Sequence, residues 1–366
     1  MTEQHWGADM LQDRLDAVID AALGTRIVGC VVLVQQGGVG VYARAAGFAD
    51  REAGRAMGLD AVFRLASVTK PVVAACALSM VDLGLLGLDD LVADHLPGFR
   101  PVGPDGTVGL MRVRHLLTHT SGLHYGGTGH YSRGMSGPLL AFDENLARIG
   151  AEPLVFTPGS AWEYGVSIDV LGGVLAAING SDLAGVVARY VTGPLAMVDS
   201  LFGVSDTGRL AQPYQDGPPP LRMEGEVVVV GRDGGVTPFS VPRIFDACAP
   251  QSGGAGMAGT AGDVMRLLEA LRGDFLSGGL RDEAWANQVG GMREGGKGFG
   301  YLGAVTLDPA AAGTAMPVGA VDWGGAWGHN WVVERQSGTV IVVCTNTLFE
   351  GCNGAFREEV VEAVFG

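Results

Sequence analysis

The stretch that most constrains the fold is residues 63–81, "FRLASVTKPVVAACALSMV". Proline is tolerated in a helix only in the first turn, so Pro71 predicts a helix that begins near Ser67. The residues after Pro71 are apolar on nearly every side of such a helix. A helix of this kind has no face for water and must be buried. The rest of the chain therefore has to build a core around it.

A lysine, Lys70, stands at the start of this apolar helix. Residues three apart lie on one helical face, which makes Ser67 and Lys70 neighbours. The chain has only two lysines among its 24 basic residues, Lys70 and Lys297, so a position that needs any positive charge would more simply hold arginine. Burial favours the neutral amine, which can take the proton of a hydroxyl, and a helix N-terminus favours the resulting oxygen anion. On these four residues alone, a capping serine beside an outward-reaching lysine is the commoner interpretation.

Composition limits the class of protein and its partners. The chain has 366 residues, of which 47% are hydrophobic, and a formal net charge of −15. This composition allows a sizeable core and disfavours nucleic acid or an anionic membrane surface as partner. The five cysteines are odd in number and mostly within apolar runs, which favours free thiols in a reduced compartment. No secretory leader pattern and no long apolar run occurs, so we expect a cytoplasmic protein.

Strand-like segments lie at both ends of the chain. Residues 26–47 predict a hairpin with its turn at Gln36-Gly37-Gly38. Three further strands are predicted over 298–308, 326–335 and 338–347, followed by a closing helix over 353–365. Between the two ends, residues 80–200 carry helical patterns broken by Gly and Pro. We therefore expect an α+β fold, in which one antiparallel sheet from both chain ends is flanked by helices and joined to a mainly helical lobe.

Five motifs follow one another in an order that resembles a known family. They are residues 63–70, "VRHLLTHTSGL" (113–123), "YGVSIDVLGGVL" (164–175), "SGGAGMAGTAGDVMRLL" (252–268) and "DWGGAWGHNWVVE" (322–334). Together they resemble the serine β-lactamase-like family over nearly the whole chain, most closely the branch of class C β-lactamases and family VIII carboxylesterases. The resemblance implies an α/β lobe from residues 1–94 and 255–366, a helical lobe from 95–254, and an active site between them.

The same resemblance implies a set of catalytic residues. Its Ser-x-x-Lys motif supplies a nucleophile and a base, here Ser67 and Lys70, and Tyr164 occupies the place of the tyrosine that completes the proton relay. The backbone amides of Ser67 and Ala326 would form the oxyanion hole. Our hypothesis is that neutral Lys70 takes the Ser67 proton. Tyr164 then passes a proton to the departing alcohol and later activates water.

Other residues of these motifs are expected to bind substrate. The third motif, Trp323-Gly324-Gly325, is expected on an edge strand beside the nucleophile. Tyr125 follows directly after the "HTSGL" segment and is expected to line the cleft. His329 is also expected to bind substrate, although its imidazole could equally bond to a backbone group.

Two departures from the β-lactamase pattern bear on the substrate. The second motif is Tyr164-Gly165-Val166, without the asparagine that orients a β-lactam side chain, and Trp323 replaces the lysine that receives its carboxylate. Both departures resemble the esterases. We therefore expect a serine carboxylesterase that cleaves esters of small, neutral, apolar acyl groups through acyl-Ser67. A β-lactamase, a D-amino-acid peptidase or amidase, an acyltransferase on the same residues, and a non-catalytic binding or sensing module stay open.

Two weaker patterns do not support a cofactor or metal. Residues 254–259 match G-x-G-x-x-G, but no clear strand leads into them, so we interpret them as a loop at the cleft edge rather than a dinucleotide site. His115 and His119 are four residues apart, but Leu116 stands where a zinc protease has its glutamate. We expect no metal, no cofactor, and a small-molecule ester as the partner.

Overall fold

The computed structural model describes residues 3–126, 130–231 and 234–366. Residues 127–129 and 232–233 of the expected helical lobe lie outside this description. The strands are β1 (Gly29–Gln36), β2 (Val39–Asp50), β3 (Arg55–Ala56), β4 (Val62–Arg64), β5 (Tyr214–Gln215), β6 (Leu221–Arg222), β7 (Glu226–Val230), β8 (Val236–Ser240), β9 (Ala258–Thr260), β10 (Lys297–Phe299), β11 (Ala304–Thr306), β12 (Val321–Gly325), β13 (His329–Glu334) and β14 (Thr339–Thr345).

The α-helices lie at both ends of the chain and, as a group of mostly short helices, between β4 and β5. They are α1 (Glu3–Ala22), α2 (Thr69–Asp82), α3 (Val92–His95), α4 (Val113–Leu117), α5 (Phe142–Ala151), α6 (Ser167–Asn179), α7 (Leu183–Val187), α8 (Ala261–Arg272), α9 (Gly278–Trp285), α10 (Pro309–Ala312), α11 (Leu348–Asn353) and α12 (Ala355–Phe365). Short 3₁₀ segments cover Ala66–Val68 and Pro242–Phe245, and Ala188–Thr192 continues α7 as a π-helix.

One antiparallel sheet joins the two ends of the chain, as the sequence predicts. Its strand order is β10-β11-β12-β13-β14-β1-β2-β3. The first strand of the chain therefore pairs with the last, with Cys30 opposite Thr345. The predicted hairpin is confirmed by β1 and β2, which pair from Gly29–Gly47 to Gln36–Val39.

Both faces of this sheet are buried, which explains why its central strands read as continuous apolar runs. In β14, Ile341 and Val343 pack with Leu15 of α1 and Val360 of α12. Their neighbours Val340 and Val342 belong to the opposite core with Leu268 of α8. Successive strand residues point to opposite faces, so a sheet covered on both sides needs apolar side chains at every position.

The helix α2 lies in the interior, as its sequence predicts. All but one of the residues from Thr69 to Met80 are buried, and α6 packs against them. No single helix of the described chain has the length and hydropathy of a membrane span; Ser167–Asn179 and Leu183–Thr192 reach them together, but they meet at 81°. The lobe boundaries at residues 94 and 254 stay a prediction.

Three local predictions need correction. The strand expected over 298–308 is a hairpin, β10 and β11, because Gly300 donates to the Gly303 carbonyl and turns the chain. The closing helix is two helices, α11 and α12, which meet at Gly354. The third motif does not lie on an edge strand, since β12 pairs with both β11 and β13.

Candidate active site

Ser67 lies on a sharp turn between β4 and α2. The short ribbon of β4 and β9 holds this turn, and the Leu65 amide donates to the Met257 carbonyl at 2.9 Å. Ala66 is buried with φ of +46°, in the left-handed region that alanine seldom occupies. This conformation lets the chain reverse directly from the strand into the helix. Ser67 is thereby held at the N-terminal end of α2, where the peptide dipoles favour negative charge.

The Lys70 side chain is 4% exposed and reaches three oxygen atoms. Its Nζ lies 3.2 Å from Ser67 Oγ, 3.1 Å from Tyr125 Oη and 2.8 Å from the Gly254 carbonyl oxygen. A carbonyl can only accept, so Gly254 always takes one Nζ hydrogen. The amine is therefore fixed in direction toward the serine.

Tyr164 lies on the other side of the serine hydroxyl. Its Oη is 2.8 Å from Ser67 Oγ, and the Trp323 indole Nε1 donates to the same Oη at 3.3 Å. The tyrosine comes from the loop before α6. The next residue is a glycine because a Cβ at Gly165 would lie 2.5 Å from the Cα of His124. The structure thus brings Ser67, Lys70 and Tyr164 together, as expected.

The His119 imidazole supports the tyrosine ring. The two ring centroids are 4.7 Å apart, and His119 Nδ1 accepts a hydrogen bond from the Gly165 amide at 3.4 Å. Burial, with a smaller contribution from Lys70, lowers the pKa of His119 well below its ordinary value, so the ring is neutral. Sequence reasoning weighed His119 only as a metal ligand and missed this contact. Its position at the start of the "HTSGL" segment, which ends two residues before Tyr125, gave a usable signal.

Tyr125 contacts the base from the cleft side. Its ring is partly exposed, while its hydroxyl points inward to Lys70. Burial of the hydroxyl, followed by the proximity of Tyr164, raises the pKa of Tyr125 well above its ordinary value. The group therefore stays a neutral phenol, and its ring meets the Tyr164 ring edge-on at 5.4 Å.

The third motif lies beside the nucleophile at the end of β12. The pairing of β12 with β11 stops at Asp322, so the last three residues of β12 extend past that neighbour. A Cβ on Gly325 would lie 2.3 Å from the Leu65 carbonyl oxygen, which explains why only glycine lets the strand approach the Ser67 turn. Gly324 faces away, because its Cβ position lies 2.8 Å from Cys352 Sγ. Only the backbone of Gly324 is therefore available to the cleft.

His329 is not a cleft residue, which corrects the expectation that it binds substrate. Its side chain is buried, and Nε2 lies 2.7 Å from the Arg64 carbonyl oxygen. The ring packs edge-on against Phe63 at 5.4 Å. His329 therefore ties β13 to β4. Ala326 follows Gly325 in a turn that the Gly328 amide closes on the Gly325 carbonyl at 2.8 Å.

Aromatic side chains form one wall next to Tyr164. The Trp323 ring meets Phe299 at 5.1 Å and Tyr164 at 5.0 Å, and Phe299 also contacts Trp162. The Arg293 guanidinium lies 4.8 Å from the centroid of the Trp162 ring and 6.0 Å from that of Trp323. Apart from Arg293, which sequence reasoning did not single out, the wall is apolar.

The G-x-G-x-x-G segment and the histidine pair, which the sequence analysis does not take as cofactor or metal sites, make other contacts. Residues 254–259 are buried and end in β9, with the Gly254 carbonyl bound to Lys70, so they are not an exposed loop. His115 Nδ1 accepts from the Arg112 amide at 3.2 Å. No group of three histidine, cysteine or acidic side chains with the geometry to hold a metal ion occurs in the part of the chain that the structure describes.

Comparison with known proteins identifies the family. The family model described as Beta-lactamase matches residues 15–363. Esterase EstB from Burkholderia gladioli is 46% identical, with 98% of this chain and 96% of the relative covered. The solved structure described as "EstCE1, a hydrolase with promiscuous acyltransferase activity" superposes with a TM-score of 0.95 at 35% identity, covering 98% of this chain and 100% of that one. Simvastatin synthase from Aspergillus terreus, at 22% identity and a TM-score of 0.72 over 96% of this chain and 97% of its own, shares the fold. The chain therefore belongs to the beta-lactamase family.

Proposed function

We propose that this protein is a serine carboxylesterase that works through an acyl-Ser67 intermediate. The observation that carries the proposal is the position of Ser67 Oγ, 3.2 Å from Lys70 Nζ and 2.8 Å from Tyr164 Oη. A hydroxyl between two groups that can accept its proton is an activated nucleophile. The 46% identity to an esterase over nearly the whole chain supports the same activity. Within the family, we propose that the chain is a family VIII carboxylesterase.

Acylation and deacylation both use the pair formed by Lys70 and Tyr164. Ser67 Oγ attacks the ester carbonyl carbon while its proton passes to the Lys70–Tyr164 pair. When the carbon–oxygen bond to the alcohol breaks, the pair returns that proton to the leaving oxygen. In deacylation a water molecule gives one proton to the pair, attacks the acyl carbon, and the proton returns to Ser67 Oγ. General acid–base help of this kind is worth about 10² to 10⁴-fold in rate.

The backbone amides of Ser67 and Ala326 are proposed to hold the carbonyl oxygen. Ser67 lies in the 3₁₀ turn Ala66–Val68 directly before α2, and Ala326 follows Gly325, which packs on the Leu65 carbonyl of the same turn. Amides fixed in this way stabilise the tetrahedral oxyanion without reorganisation, and one such donor is worth about 10² to 10³-fold.

The substrate class follows from what faces the nucleophile. Tyr125 contacts Lys70 and Trp323 contacts Tyr164, the two groups that flank the Ser67 hydroxyl. Trp323 stands where a β-lactamase has the lysine that receives a carboxylate. The aromatic wall next to it is mostly apolar. We therefore propose small, neutral, apolar acyl esters as substrates. A cytoplasmic location, favoured by the free cysteines, is part of the proposal.

Hydrolysis of p-nitrophenyl butyrate by wild type and Ser67→Ala, with intact mass recorded at early times, tests the activity. We expect turnover and a transient butyryl adduct for wild type, and neither for the variant. Nitrocefin and a D-alanine amide are run in parallel. Rapid cleavage of either, without ester turnover, would overturn the esterase assignment in favour of a β-lactamase or amidase. A stable adduct without turnover would instead indicate a binding module.

Acyl transfer is a second candidate, favoured by one comparison. EstCE1, which shares 35% identity and superposes over nearly the whole chain, is described as having promiscuous acyltransferase activity. The same acyl-Ser67 can react with an alcohol in place of water. Adding a primary alcohol to the assay tests this: a butyrate ester of that alcohol among the products would establish transfer, and butyrate alone would exclude it.

A further inference from the structure

Asp169, which the reaction above does not use, is a buried carboxylate close to the active-site lysine. It lies in the first turn of α6 and is 2% exposed. Its Oδ1 accepts from the Ser252 hydroxyl and from the Gly254 amide, the latter at 3.3 Å. Its Oδ2 is buried without a hydrogen-bond partner among the described residues. An unpaired buried carboxylate oxygen is costly unless an opposite charge lies nearby.

The positive charges near Asp169 are Lys70 and Arg243, and Lys70 Nζ lies across the open space beside the Gly254 Cα from the carboxylate. A Cβ on Gly254 would lie 2.4 Å from Asp169 Oδ2 and 3.4 Å from Lys70 Nζ. The carboxylate oxygen and the amine are therefore within about 6 Å of each other, a range in which opposite charges stabilise one another. Only glycine leaves this space open. The glycine-rich segment 252–256 thus has a structural role beside the active site that does not involve a nucleotide.

We propose that Asp169 is a positioning residue that keeps the positive charge on Lys70 through the gap at Gly254. The inference rests on the proposed esterase function. Lys70 and Tyr164 flank the Ser67 hydroxyl. For one of them to accept the Ser67 proton, the two together must carry one proton fewer than an ammonium and a phenol would carry. A carboxylate behind Lys70 draws the proton that the two share to the amine and leaves Tyr164 as the group that receives the Ser67 proton. This reverses the order expected from the sequence, in which neutral Lys70 acts first.

The surroundings of Tyr164 fit this assignment. Its Oη accepts from the Trp323 indole, and Lys70 Nζ lies 4.7 Å from the centroid of its ring. Both contacts stabilise a phenolate oxygen. Lys70 Nζ in turn has an oxygen for each of the three hydrogens of an ammonium group.

Other titratable groups face Lys70 and Asp169 and have to be considered in any pH profile. They are His119, Tyr125, Tyr131, Tyr164 and Arg243. Burial raises the pKa of Tyr125 and Tyr131, so both phenols keep their protons above the pH at which a tyrosine ordinarily ionises. Burial also raises the pKa of Asp169, while Lys70, the Ser252 hydroxyl, the Gly254 amide and Arg243 oppose that rise. The alkaline limb, where the carboxylate is ionised, is therefore the informative one.

The test is the pH dependence of kcat/KM for p-nitrophenyl butyrate in wild type, Asp169→Asn and Ser252→Ala, followed at an isosbestic wavelength of nitrophenol. Asp169→Asn removes the charge, so the alkaline limb should move to lower pH by about one unit. Ser252→Ala keeps the charge and removes only a tether, so it should lower the rate and leave the limb in place. Asp169→Glu should restore the wild-type limb.

Two further variants, Gly254→Ala and Ser67→Ala, separate a failure of this inference from a failure of the proposed function. Gly254→Ala places a methyl group between Asp169 and Lys70 and should also move the alkaline limb to lower pH. This variant tests the inference if Asp169→Asn does not fold. An alkaline limb at its wild-type position in Asp169→Asn and in Gly254→Ala overturns the inference. Full turnover by Ser67→Ala overturns the proposed function itself, which is a separate result.

Discussion

Trp323 Nε1 lies 3.3 Å from Tyr164 Oη, so the first residue of the third motif donates a hydrogen bond to the tyrosine beside the nucleophile. In the β-lactamase pattern this position carries a lysine, whose charge would stabilise a phenolate. Here a neutral donor contacts the same oxygen. The Arg293 guanidinium, 6.0 Å from the centre of the Trp323 ring, brings a positive charge close to the indole. The site therefore supports Tyr164 without a lysine at position 323.

Replacement of Trp323 by phenylalanine should slow acylation. The change keeps an aromatic ring against Phe299 and removes the hydrogen bond to Tyr164 Oη. Hydrogen bonds to a charged group contribute about 1.5–3 kcal/mol, so we expect kcat/KM to fall by about tenfold or more. Trp162→Phe is the matched control, because the Trp162 Nε1 is buried without a partner among the described residues. Equal losses in the two variants would show that ring packing, not the indole hydrogen bond, is responsible.

Loss of the Tyr125 hydroxyl should weaken the placement of Lys70. Tyr125→Phe removes one of the three oxygens around Nζ and leaves the ring that lines the cleft. We expect the single-turnover acylation rate to fall by about tenfold, since a hydrogen bond to a charged group is lost. Tyr42→Phe serves as control, because that hydroxyl binds Asp16 on the far side of the sheet. An unchanged acylation rate in Tyr125→Phe would mean that Gly254 and Ser67 alone fix the amine.

Local features of the site could be predicted from the sequence because they depend on helix geometry alone. Ser67 and Lys70 are three residues apart on a helix whose start Pro71 reveals, and their contact needs no knowledge of the fold. Tyr164 is 97 positions from Ser67. Spacing cannot predict such a contact, and the tyrosine was found only through the resemblance to a family.

The missed features depend on tertiary packing. Asp169 meets the 252–254 segment across 83 positions, and although the apolar residues around it in α6 indicate burial, they do not indicate which residues it contacts. His329 looked like a cleft residue because it follows the third motif. It lies two residues before the buried Trp331 in β13, and a strand inside a sheet covered on both faces buries every position. The Gly300 and Gly303 pair, by contrast, was a turn signal that the strand assignment overlooked.

The two lysines of the chain should differ sharply in their tolerance of arginine. A guanidinium keeps the positive charge, but it is planar and too broad to bond to the three oxygens of Ser67, Tyr125 and Gly254 that surround the amine. Lys70→Arg should therefore lower kcat/KM by about 10³-fold. Lys297 binds Asp322 at 2.7 Å and Thr306 at 2.9 Å and does not contact the serine. Lys297→Arg keeps that ion pair and should retain ester turnover. If Lys70→Arg were as active as Lys297→Arg, the shape and placement of the Lys70 amine would not matter to the reaction.

Acid should destabilise the fold through its buried histidines. Burial lowers the pKa of His329 to about 4, whereas an unfolded histidine titrates near 6.5. Between these two values the unfolded chain binds a proton that the folded chain does not, so the free energy of unfolding falls as the pH is lowered. The pKa difference corresponds to about 3 kcal/mol once the pH has fallen to the folded value.

Urea unfolding of wild type and His329→Gln at neutral and acidic pH measures this contribution. Glutamine can still donate to the Arg64 carbonyl, as Nε2 of the imidazole can, but it does not titrate. The variant should start from a lower stability at neutral pH, because it loses the packing of the ring on Phe63, and should lose less of it on acidification. His130→Gln removes an exposed imidazole and is the control. If His329→Gln lost as much stability in acid as wild type, carboxylate protonation rather than His329 would account for the acid sensitivity.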